Sequence, residues 1–313
     1  MDKPLKLHGV IPAIVTPFTA DLALDEQGLR RYVRHMLGIP GVSGILCNGY
    51  TGELSSLGRR ERARVVEICA EEIGGRVPLI AGTDGRSTSE AIALAREAKA
   101  AGADGIQVNS PFEHLLKRGM LLTPDVPVAF FRALSDEAAV PMLVFQYPAW
   151  SGIAYPTGVT RALADIEYVA AVKEAVDIDK YVEEHQALNG RIPLFADNNG
   201  YTLLAMLLLG ADGTMVGISN VGTELWAELF AAVQQGEVSR AVELTNRRLL
   251  PLMDVFSRDL GRTPASFVGR VKEALVMQGL LETAAVRAPE AAVSDAERAT
   301  IKAALAAVGI LPR

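Results

Sequence analysis

Short apolar runs alternate with amphipathic stretches along most of this chain. Residues 10–15, 44–47, 77–81, 105–108, 141–145, 168–172, 192–195 and 213–217 read as eight strands, each too short for a buried helix. Between them, stretches such as 59–73, 89–101, 127–138 and 199–209 repeat apolar residues every three or four positions, the spacing of a helix with one buried face. The joints repeat as well. Gly102 and Gly210 each stand just past a helix and two or three residues before a strand, in Ala101-Gly102-Ala103-Asp104-Gly105 and Leu209-Gly210-Ala211-Asp212-Gly213. A glycine there accepts the left-handed conformation that ends a helix. Pro12 and Pro78 fall in or beside strands and are expected at strand starts or unpaired positions, since proline has no N–H for a ladder.

Eight βα units predict an α/β fold, a (β/α)8 TIM barrel, whose chemistry sits on the loops after the strands. A doubly wound sheet would want a glycine-rich fingerprint after the first strand, where this chain has Thr16-Pro17-Phe18. From about residue 223 only helical patterns remain: 225–235, 238–256, 265–277 and 295–307. One closes the barrel and the others form an appendage. The expected division is residues 1–235 for the barrel with the active site and 236–313 for a C-terminal helical extension packed on it. Residues 287–292, with Pro289, read as the loop before the last helix.

Composition narrows the function. The 313 residues are 50% hydrophobic and 22% charged, with no apolar run long enough to span a bilayer, so no membrane role is expected. The first residues carry no secretory pattern, and the two cysteines, Cys47 and Cys69, suit a reducing compartment, so a cytoplasmic protein is expected. Four scattered histidines give no metal-ligand spacing, and a net charge of −6 speaks against nucleic-acid binding.

Against that background Lys173 stands out. It ends the apolar strand run Tyr168-Val169-Ala170-Ala171-Val172 and precedes Glu174. Burial disfavours an ammonium, lowers its pKa and leaves a free amine that attacks carbonyls; a strand-end lysine can also simply reach back to solvent. The turn Asn48-Gly49-Tyr50-Thr51-Gly52-Glu53 after strand 2 can aim backbone N–H groups and the Thr51 hydroxyl at a carboxylate, with that hydroxyl also able to relay a proton in catalysis, or be an ordinary turn with a threonine cap. On strand 5, Leu143, Phe145 and Tyr147 share a face, with Tyr147 nearest the rim, where a phenol serves as general acid or base or as an aromatic plug.

In this order the segments resemble the dihydrodipicolinate synthase/N-acetylneuraminate lyase family of Schiff-base aldolases over essentially the whole chain. The matches are Thr16-Pro17-Phe18, Gly49-Tyr50-Thr51-Gly52-Glu53, Ala81-Gly82-Thr83, Lys173-Glu174 and Ala196-Asp197-Asn198. The resemblance implies that Lys173 forms an imine with pyruvate or a pyruvate-derived 2-oxo acid, with no metal and no organic cofactor. It implies that Gly49, Tyr50, Thr51 and Gly52 bind the carboxylate, that Met215 offers a backbone carbonyl near the imine, and that Asp197 lies in the site. It also implies a homo-oligomer, dimer or tetramer.

Four positions depart from the synthase pattern. Phe145 stands where the family has its catalytic tyrosine, Trp150 where it has the substrate-binding arginine, Glu113 where a neighbouring subunit contributes a tyrosine, and Tyr50 where the turn has its first small hydroxyl residue. These changes speak against the lysine-biosynthetic reaction. Tyr147, directly before Pro148, matches a tyrosine placed so in some sugar-acid aldolases and is expected to take over the acid/base role. The leading expectation is reversible aldol cleavage giving a 2-oxo acid and an aldehyde. Dehydration of a deoxy-oxo sugar acid through the same imine is the alternative, and a non-catalytic barrel that binds a small acid is the reading from another class.

Overall fold

The computed structural model describes residues 5–113, 115–152, 154–198, 202–257 and 266–312. Eight parallel strands, β1 (Gly9–Val10), β2 (Ile45–Cys47), β3 (Leu79–Thr83), β4 (Gly105–Val108), β5 (Met142–Gln146), β6 (Val169–Glu174), β7 (Leu194–Ala196) and β8 (Gly213–Thr214), are hydrogen-bonded in the order β1-β8-β7-β6-β5-β4-β3-β2. Parallel bridges Val10–Val42 and Ala13–Leu46 close the remaining seam between β1 and β2. The chain is therefore a (β/α)8 TIM barrel, as its alternation predicts.

Parallel neighbours need long crossovers, and helices supply them. These are α1 (Glu26–Leu37), α2 (Arg59–Ile73), α3 (Thr88–Ala100), α4 (Asp125–Ala138), α5 (Pro148–Ser151), α6 (Thr157–Leu163), α7 (Ile178–Leu188), α8 (Leu203–Leu208) and, after β8, α9 (Thr223–Gln234). Gly102 and Gly210 take φ of +105° and +101°, the backbone their place at the joints requires. The helix starts are capped locally: Asp25 accepts from Gly28 N at 2.8 Å and Ser87 from Glu90 N at 3.2 Å.

Side chains alternate across each strand, so two cores form. Leu46, Ile80, Leu143, Ala171, Phe195 and Met215 fill the barrel interior, whereas Val108, Val144 and Val172 pack outward in the larger cluster shared with the helices. Strands β1 and β8 are shorter than the apolar runs suggest. Pro12 has no N–H to pair, although its carbonyl accepts from Leu46 N at 2.9 Å, and Pro78 immediately precedes β3. After β8 the chain enters a 3-10 turn, Gly217–Asn220. Asn220 pins it, donating to Ala13 O at 2.8 Å and accepting from the Tyr32 hydroxyl at 2.6 Å.

Beyond the barrel lie α10 (Val238–Leu244), α11 (Leu250–Ser257), α12 (Phe267–Met277) and α13 (Asp295–Ala307). The single helix expected over 238–256 is interrupted by a π turn, Thr245–Leu249, just before Pro251. A proline inside a helix removes one hydrogen bond and crowds the carbonyl four residues back; a wider turn relieves both. Val268, Val271 and Leu275 of α12 and Ile301 and Leu305 of α13 belong to the same apolar cluster as the barrel's outer face, so the extension is continuous with its core. Among the described residues no helix is long and apolar enough to cross a membrane.

Candidate active site

Lys173 comes from β6, where alternation turns it into the barrel while Glu174 points outward. Glu174 is fully buried and accepts from the Gln146 amide at 3.0 Å on that outer side. Lys173 is 4% exposed. Its Nζ donates to Gln107 Oε1 at 3.0 Å, lies 3.1 Å from Asp197 Oδ2 and sits 4.1 Å from the centre of the Phe145 ring. Burial pushes its pKa below the usual lysine range, and the attraction and hydrogen bond of Asp197 oppose the fall. Asp197, itself 4% exposed, is pushed up to about 6 by the same desolvation, with Lys173 pulling it down. Burial thus moves both members toward their uncharged forms. An amine held this way is not a snorkelling cation, and its neutral form has the chemistry of a nucleophile.

Phe145 is the hub of the site. It pairs with Lys173 across β5 and β6, and its ring lies 5.8 Å from both Tyr50 and Tyr147, tilted by 52° and 50°. One ring thus touches the amine, the strand 2 turn and the tyrosine at the rim. Having no hydroxyl, it contributes an apolar and π surface but no proton. Tyr147 begins the helix α5, is half-buried, and lines a small cleft with Ser110, Ser151 and Tyr155.

The 49–52 turn is fixed through its carbonyls. Gly52 O accepts from the Thr16 hydroxyl at 2.7 Å, Tyr50 O from Glu53 N at 3.0 Å and Gly49 O from Leu54 N at 3.3 Å. Thr51, 8% exposed, presses its hydroxyl against the backbone after β8: a Cβ on Gly217 would lie 2.4 Å from Thr51 Oγ1, so a side chain there would have to displace that hydroxyl.

The structure therefore gathers Lys173, Tyr147 and Tyr50 around the Phe145 ring, with Asp197 on the lysine and Thr51 on the same turn as Tyr50. Met215 is fully buried in the inner core, and its N–H donates to Ala196 O at 3.2 Å. Glu113 and Trp150 lie in the helical segments Pro111–Glu113 and Pro148–Ser151, but their side chains fall outside the described residues. Among the described residues no three His, Cys, Asp or Glu side chains form a metal-binding group.

Sequence reasoning missed Gln107 and Asn109. Gln107 is fully buried and Asn109 3% exposed. Gln107 Oε1 accepts from Lys173 while its Nε2 donates to Asn109 Oδ1 at 2.9 Å. The lysine is a donor, so it fixes which way both amides point. The signal was present: Gln107 interrupts an otherwise apolar strand run, and Asn109, just past its end, follows at the two-residue spacing of an inward face.

Comparisons with known proteins match one family over nearly the whole chain. The model of the dihydrodipicolinate synthetase family matches residues 6–308. A 4-hydroxy-tetrahydrodipicolinate synthase of Pelobacter propionicus is 32% identical over 303 residues, covering 97% of this chain and 99% of the relative. The crystal structure of a chloride-inhibited dihydrodipicolinate synthase from Acinetobacter baumannii, complexed with pyruvate, superposes with a TM-score of 0.87 at 27% identity, covering 98% of this chain and 100% of that one. YagE, a prophage protein of the same family from E. coli K12, also solved with pyruvate, gives 0.85 at 26% identity, with 97% and 99% covered.

Proposed function

Because this chain belongs to the dihydrodipicolinate synthetase family, we propose that it is a lyase that forms an imine between Lys173 and the 2-oxo group of pyruvate or a pyruvate-derived acid, and that it catalyses reversible aldol cleavage. The observation that carries this reading is the Lys173 amine, buried among Gln107, Asp197 and Phe145. The two neighbours solved with pyruvate support the same ligand class.

In this reading the N–H edge of the 49–52 turn and the Thr51 hydroxyl bind the carboxylate, and the Met215 carbonyl faces the imine. The neutral amine adds to C2, and the carbonyl oxygen leaves as water with the two amine protons. One further proton makes the iminium. Tyr147, as its phenolate, takes the proton of the C4 hydroxyl while the C3–C4 electron pair moves into the iminium, which releases an aldehyde and leaves an enamine beside a phenol that can return the proton to C3. The enamine takes up a proton at C3, and water then frees pyruvate and restores the amine. The chemistry calls for no metal and no organic cofactor.

Phe145, Tyr147 and Tyr50 make the entrance aromatic, which suits an aldehyde with a sugar-like or aromatic chain rather than one held by its own carboxylate. The test is a panel of 4-hydroxy-2-oxo acids assayed for pyruvate release, with pyruvate and aldehydes tested in the reverse direction. Cleavage of at least one acid is expected. Imine formation without cleavage or condensation of any of them would mark a binding protein instead.

The Lys173–Asp197 pair also predicts a pH shift. Asp197 holds the lysine pKa up, so its removal lets that pKa fall further and the free amine exist at lower pH. The rising limb of the rate of borohydride trapping with pyruvate is expected at lower pH in Asp197→Asn than in the wild type. An unmoved limb, or one moved upward, contradicts the pairing.

A further inference from the structure

Thr16-Pro17-Phe18 was read as a family motif, yet neither Pro17 nor Phe18 takes part in the chemistry above. Their surroundings give them a task. Phe18 is 1% exposed, and two cations from the C-terminal extension lie on its ring: Lys272 Nζ at 4.1 Å and the Arg287 guanidinium carbon at 4.2 Å from the centre. Phe18 O accepts from the Thr283 hydroxyl at 3.0 Å. Lys272, fully buried on α12, donates to Ala285 O at 2.9 Å and is ion-paired with Glu53.

Glu53 is the last residue of the carboxylate turn. It is 2% exposed and adopts φ +53°, a region that residues with side chains enter at a cost and hold only where the surroundings impose it. The residues that follow are held from the same side. Arg287 donates to Ser56 O at 2.9 Å and to Glu61 at 2.8 and 2.6 Å. Thr16, two residues before Phe18, fixes Gly52 O. The turn is thus clamped at both neighbouring carbonyl and carboxylate groups, one from the segment that follows β1 and one from the extension.

We propose that Lys272 and Glu53 are positioning residues: the C-terminal extension, through their buried ion pair seated on Phe18, sets the turn whose N–H edge receives the substrate carboxylate. This rests on the imine reading of Lys173 and adds to it a function for α12. The extension is then part of the recognition of 2-oxo acids.

Breaking one member of a buried pair strands a charge, whereas replacing both leaves none. The test therefore uses Lys272→Met, Glu53→Gln and the double variant, with borohydride trapping on Lys173 as the readout. Two probes are titrated: pyruvate, and hydroxyacetone, a ketone without a carboxylate. In all three variants the half-saturating pyruvate concentration is expected to rise about tenfold or more, the effect of misplacing one or two hydrogen bonds to a carboxylate. The hydroxyacetone value and the trapping rate at saturation stay within about twofold. A double variant that binds pyruvate as the wild type does, or that loses both probes equally, overturns the proposal. No pyruvate adduct on Lys173 of the wild type overturns the imine reading beneath it as well.

Discussion

Lys173→Met is expected to lose turnover by a factor on the order of 10^4 or more, with no pyruvate trapping left at that position, because methionine has no amine to form the covalent bond. The variant should still fold. Losing one member of a buried ion pair costs about 3–5 kcal/mol when the partner keeps its charge, but here the partner can release it. Asp197 already titrates near 6, raised above an ordinary carboxylate, and Lys173 is what holds it down. Without the lysine its folded-state value rises further. The folded state then retains a proton that the unfolded state has released, so the variant is most stable at acid pH and loses stability as pH rises through that value. Thermal melts of the variant between acid and neutral pH check the sign; a melt that improves with rising pH contradicts it.

Tyr147→Phe is expected to slow aldol cleavage roughly a hundredfold or more while leaving pyruvate trapping on Lys173 intact. The reasoning is positional. The ring that sits on the lysine, Phe145, has no hydroxyl, and Tyr147 follows two residues later, just past the end of β5, its ring 5.8 Å from Phe145. Imine formation precedes the C4 proton transfer, so only the later step should suffer. Single-turnover kinetics separate the two, and an unchanged cleavage rate excludes a catalytic phenol.

The architecture was legible because it rests on local signals: alternation of apolar runs and helical spacing, with glycines at the joints. The ends of strands were not, since Pro12 and the 3-10 turn after β8 remove ladder bonds that hydrophobicity cannot report. Lys173 was visible as a charge ending an apolar strand, and Tyr147 as a hydroxyl on an inward face. Gln107 and Asn109 escaped because neutral amides disturb an apolar pattern less than a charge does. The Glu53–Lys272 pair was hidden for another reason: its members lie on β2's turn and α12, and only the closing of the barrel against its extension brings them together.

The central claim, that the buried amine of Lys173 is the nucleophile for a 2-oxo acid, is tested most directly by reducing the protein with borohydride in the presence of pyruvate and mapping the peptides by mass. The account predicts a single reduced pyruvate adduct, on Lys173. No adduct, or an adduct on another lysine with Lys173 unmodified, would contradict it.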